Sequence, residues 1–157
     1  MQCAWHLAPL GPRYTPKNYI NWVVDRICAF DPDTFQGECL SDESVRFKEL
    51  LNRCCEMKLR SFAWNYFSLD FQVFEFVDQA ITMEELIIFS DARWTFPKQC
   101  RPAGEFEFED MQKPERDVLK EEVERDIGYL DWPILDSREY PLNIHYCNVR
   151  LLEENPT

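Results

Sequence analysis

Apolar residues recur along this chain with two periods, one helical and one of strands, and the segments sort by which they follow. Thr15 offers a capping hydroxyl and Pro16 suits a first helical position. Ile20, Val23, Val24 and Ile27 then follow at helical spacing, predicting a helix that ends near Pro32. Ser41, with Asp42 and Glu43 in the turn after it, predicts a second helix. Its stripe of Phe47, Leu50, Leu51, Cys54 and Met57 directs Cys54 toward the core. Residues 68–77 alternate through Leu69, Phe71 and Val73 and then change phase to Phe74 and Phe76, which predicts a strand with a bulge or one buried on both faces. Thr82 and Glu85 form a capping-box pattern ahead of Leu86, Ile87 and Ile88, predicting a short helix with a strand as its competitor.

Two prolines and mixed polarity between Arg93 and Gly104 predict a loop. A strand follows over 104–110, with Phe106 and Phe108 on one side and Glu105, Glu107 and Glu109 on the other. Pro114 opens a helix over 114–127, with Leu119, Val123 and Ile127 inward, Glu115, Glu122 and Asp126 outward, and Gly128 as its stop. The stretch up to Pro141 reads as an extended surface loop, and 142–152 as a strand with His145, Cys147, Val149 and Leu151 on one face. Helices first, then strands mixed with helices, predict an α+β fold: one antiparallel or mixed sheet packed against several helices.

Size and composition narrow this further. The 157 residues are 45% hydrophobic and are expected to form a single globular domain over 1–157 with a continuous core, rich in rings from 12 Phe, 6 Tyr and 5 Trp. Four glycines leave no Gly-rich phosphate loop. The start of the chain lacks a basic, uninterrupted apolar leader, and the longest apolar run of the later segments, Leu86 to Phe89, is far below the ~20 residues of a bilayer span. Seven cysteines, an odd number that includes the adjacent Cys54 and Cys55, suit reduced thiols better than a disulfide framework. An intracellular setting, cytoplasmic or nuclear, is therefore expected.

Charge is unevenly placed. The net charge is −12, and residues 105–139 hold thirteen acids against five bases, so a fifth of the chain carries two thirds of the excess. That sign disfavours direct binding of nucleic acid and of anionic membranes, both of which need Lys and Arg. A basic protein surface is the expected partner. Along a strand, Glu105, Glu107 and Glu109 would stand ~6.6 Å apart, near twice the axial phosphate step of one DNA strand. A stripe continuing through Asp110, Glu115, Glu122 and Asp126, with Trp132 and Tyr140 as aromatic anchors, could thus occupy a cleft that ordinarily holds nucleic acid. This is the expected mode of a non-enzymatic inhibitor or regulator of the immunity, anti-defence or viral accessory kind. The competing reading is that the same carboxylates keep an aromatic protein soluble and blunt a strand edge.

Two other chemistries come from the histidines. Cys3 and His6 near the start, with His145 and Cys147 near the end, supply four thiolate and imidazole groups that could close a tetrahedral zinc site between the termini, making the chain a zinc-binding adaptor. A Cys/His pair could also serve a nucleophilic enzyme, although no Gly-x-Ser-x-Gly, His-Glu-x-x-His or phosphate-loop motif accompanies it. The leading expectation uses no catalytic residue and no cofactor.

Overall fold

The computed structural model describes residues 25–29, 42–66, 71–95, 105–129 and 141–152. Their elements run β1 (Arg26–Ala29), α1 (Asp42–Glu56), β2 (Ser61–Asn65), α2 (Phe71–Gln79), β3 (Glu85–Phe89), β4 (Phe106–Asp110), α3 (Lys113–Tyr129) and β5 (Asn143–Leu151). The strands form one mixed sheet in the order β1-β2-β3-β5-β4, an α+β arrangement. β1, β2, β3 and β5 are parallel neighbours, while β4 lies antiparallel on the outside of β5.

The parallel strands advance across the sheet in one direction, and crossovers of one hand then place every connecting helix on the same face. Leu51 and Cys54 of α1, Phe76 and Val77 of α2, and Leu119 and Val123 of α3 accordingly share one core with Ile27, Phe62, Trp64, Leu86 and Ile88. The opposite face of the sheet carries a second, smaller core of Cys28, Ala63, Ile87, Phe89 and Cys147, with Phe106, Phe108, Val149 and Leu151 packed against it. β1, β2 and β3 are therefore buried on both faces, at about 1.5–3 kcal/mol for each fully buried large side chain.

α1 ends in a Schellman turn. The amide of Leu59 donates to the Cys54 carbonyl at 2.9 Å and that of Lys58 to the Cys55 carbonyl at 3.1 Å, while Lys58 takes a left-handed φ of 58°. Buried Leu59 seats against Cys54, so the turn that stops the helix also aims the chain into β2.

Several elements differ from the sequence reading, each for a physical reason. Ile27 belongs to a strand, not to the end of a helix, because Arg26–Ala29 pairs with Ser61–Trp64; residues 15–24 of that expected helix lie outside the described residues. Met57 falls past the end of α1 and is 37% exposed. Residues 71–79 are helical: the change of phase taken for a bulge is the helical period, with Phe76, Val77 and Ala80 buried and Glu75 and Asp78 exposed. The capping-box helix at Thr82 is instead strand β3, and the amides of Glu84 and Glu85 both donate to the Arg60 carbonyl where β2 begins. Gly128 does not stop α3, which continues to Tyr129. The loop expected after Arg93 begins as a short 3-10 turn, Ala92–Thr95, and 96–104 lie outside the described residues, as do 130–140 of the later loop. α1, β4, α3 and β5 agree with the expected types.

Candidate functional site

β4 alternates as its sequence demands. Phe106 and Phe108 join the second core, so Glu107 and Glu109 emerge on the face that carries the helices. There they meet Arg150 of β5, which stands directly opposite Glu107 in the antiparallel register. The Arg150 guanidinium bonds Glu107 and also reaches Glu109, with Nε 2.8 Å from Oε1. All three side chains are about half exposed, so this cross-strand cluster is wet and each pair is worth little on its own. Glu105 is exposed, and its carbonyl accepts from the Leu152 amide at 2.8 Å. Asp110 lies opposite Cys147 and shares the side of Phe106 and Phe108, so it does not join the row.

On α3, Glu115, Glu122 and Asp126 recur at seven and four residues and lie along one flank. Glu115 accepts a hydrogen bond from Asn148 Nδ2 at 3.3 Å. Asp126 accepts one from the Tyr66 hydroxyl, and Glu122 stays exposed beside that pair. Burial, foremost, and then the Asp126 bond and the charges of Asp126 and Glu122 hold the Tyr66 phenol well above its usual range, so it remains a donor. The remaining surface of the helix is balanced by local pairs: Arg116 with Asp117, Lys120 with Glu124 and Arg125 with Asp126. The chain's own cations thus divide the expected stripe. Among the described residues, Glu105, Glu121 and Glu122 are the exposed acids of this region without an ion pair, together with Asp110 on the other face and Glu115 on its asparagine. Trp132 and Tyr140 lie outside the described residues.

The second face holds a polar group absent from the sequence reading. Arg26, Ser61 and Glu85 occupy one register row across β1, β2 and β3. Arg26 donates from Nε to Ser61 Oγ at 2.8 Å and from Nη2 to Glu85 Oε2 at 2.6 Å, and the Ser61 hydroxyl bonds the same carboxylate oxygen. Burial alone would raise the Glu85 carboxyl, but the bonds from Ser61 and Arg26 and the charges of Arg26 and His145 outweigh it and hold it below the usual carboxylate range. A sequence signal exists in retrospect: Arg26, Ser61 and Glu85 each stand immediately before a short apolar run, Ile-Cys-Ala, Phe-Ala-Trp and Leu-Ile-Ile-Phe.

His145 and Cys147 do share a face of β5, as the alternation requires, but His145 is exposed while Cys147 is 4% exposed in the second core. Burial first, then Asp110 and Glu85 against the opposing pull of Arg26, pushes the Cys147 thiol up to about 11. A nucleophile needs the opposite shift. Cys54 is likewise pushed up to about 12 by burial, with Cys55 adding. No group of three or more metal-ligating side chains occurs among the described residues, and Cys3 and His6, the other half of the zinc constellation, lie outside them. No described helix is long and apolar enough to cross a membrane. Comparison with family models, with curated proteins and with solved structures finds no match to this chain.

Proposed function

We propose that this chain is a non-enzymatic protein-binding regulator that docks the flank formed by β4 and α3 on a basic partner, occluding a surface that ordinarily holds nucleic acid. Support comes from one observation. Residues 105–129 carry ten acids against four bases, and adding Arg150, which reaches into the β4 row, still leaves this flank at a net charge of −5. Internal pairing therefore weakens the acidic character without cancelling it. Such a surface speeds encounter with a cationic macromolecule and discriminates against anionic ones.

Within the flank, Glu105 and Glu122 are the carboxylates best placed for a partner's Lys or Arg, being exposed and outside the local ion pairs. Glu107 and Glu109 enter the interface with Arg150 between them. The test is an affinity pull-down read by mass spectrometry, followed by a salt titration of the captured complex and by Glu105→Lys and Glu122→Lys. A basic partner, affinity falling steeply with salt and loss on charge reversal are expected. Binding that ignores both salt and reversal would remove the proposal.

A further inference from the structure

The described helices all lie on one face of the sheet, yet the residues of the second core are as buried as those beneath the helices. The sheet curls toward that second face. β1 and β4 are its two outermost strands in the order β1-β2-β3-β5-β4, and across a flat sheet four inter-strand steps would hold them ~19 Å apart. Instead the Arg26 guanidinium of β1 stands 5.8 Å from the ring centroid of Phe108 on β4, within cation–π range. Phe108 in turn lies 5.3 Å from Phe89 and 5.7 Å from Phe106, so one ring connects the guanidinium to the aromatic part of the second core.

We propose that Arg26 and Phe108 form a clasp that holds the sheet curled, and that releasing it opens the second core while the helix-side core stays closed. Arg26 is suited to the part because it is fixed before it reaches the ring. Ser61 and Glu85 bind its Nε and Nη2, its Cζ stands over the Phe108 ring, and its residue exposure is 8%. A desolvated guanidinium on an aromatic face gains more than an exposed one. The influence of Arg26 on the Cys147 thiol agrees with a guanidinium that leans inward over this face.

Two thiols report on the two cores independently: Cys147 in the second core and Cys54 under α1. The experiment is alkylation of the full chain in native buffer with iodoacetamide, with the labelled peptides quantified by mass spectrometry, for wild type, Arg26→Gln and Phe108→Leu. The expected result is that Cys147 labels about three- to thirtyfold faster in each variant while the Cys54 rate is unchanged. Phe108→Leu keeps an apolar side chain and decides the matter by itself if Arg26→Gln does not fold. Cys147 and Cys54 accelerating together would show general destabilisation and overturn the clasp, as would an unchanged Cys147 rate in Phe108→Leu.

Discussion

The side chain of Asn65, at the end of β2, makes a reciprocal pair of hydrogen bonds with the backbone of Asp91: Nδ2 donates to the Asp91 carbonyl at 2.9 Å, and the Asp91 amide donates to Oδ1 at 3.0 Å. Asn65 is fully buried, and its amide imitates one more step of parallel pairing just past β3. Asp91 then orients the next turn, accepting from the Arg93 amide at 3.0 Å, and Arg93 Nη2 reaches the Val149 carbonyl at 3.2 Å. Asn65→Ala removes both of these bonds to the Asp91 backbone at a buried position, so a loss of about 2–4 kcal/mol is expected in urea unfolding followed by tryptophan fluorescence. Asn65→Leu should be no better. A loss below about 1 kcal/mol would mean that water replaces the amide.

Lys58 gives a prediction of the opposite sign. It holds the left-handed position of the Schellman turn with φ 58°, where a side chain costs about 1–2 kcal/mol, while glycine gives back part of that gain through the freer unfolded chain. Lys58→Gly should therefore stabilise the protein by about 0.5–1 kcal/mol, seen as a higher urea midpoint at unchanged slope.

These two positions show what a sequence can and cannot display. α1, α3, β4 and β5 each have a wet side, so their apolar residues recur with a clear period, and Leu51, Cys54, Leu119, Val123 and Phe108 read correctly as inward. β1 and β3 are buried on both sides, which erases that contrast: Leu-Ile-Ile-Phe fits a helix or a strand until β2 and β5 are seen on either side of it. In the short helix α2, Phe74 directly after Val73 reads as a slipped alternation. The acidic flank was legible in its sign but not in its pairing, because Arg150 lies 43 residues from Glu107. The row of Arg26, Ser61 and Glu85 joins residues 35 and 24 apart, and only the parallel register makes them neighbours.

That row makes stability depend on pH in a defined direction. The folded Glu85 carboxyl lies below its usual value, so the unfolded chain takes up its proton first as pH falls. Its contribution is fully present above the ordinary carboxylate value of about 4.3 and is lost as pH drops through the folded value. Ser61 and Arg26 supply this preference throughout that range, and the charge of His145 acts in the same direction. In unfolding measurements from pH 7 to pH 3, the gap between wild type and Glu85→Gln should be widest at neutral pH and narrow toward acid. A gap independent of pH would show that the carboxylate charge is not what Arg26 recognises.

Arg150 separates stability from association. Its pairs with Glu107 and Glu109 are half exposed, so Arg150→Ala should cost less than about 1 kcal/mol, and that small loss should fade further in high salt. The same substitution takes Arg150 out of the β4 row and moves the net charge of the flank from −5 to −6. A basic partner should then associate faster at low salt, by a factor that shrinks toward one as salt rises, while the dissociation rate changes little. Stopped-flow association of wild type and Arg150→Ala with the captured partner measures this. A slower encounter for the variant would mean that Arg150 itself touches the partner and that the row works as an ordered trio of Glu107, Arg150 and Glu109, not as a field of negative charge.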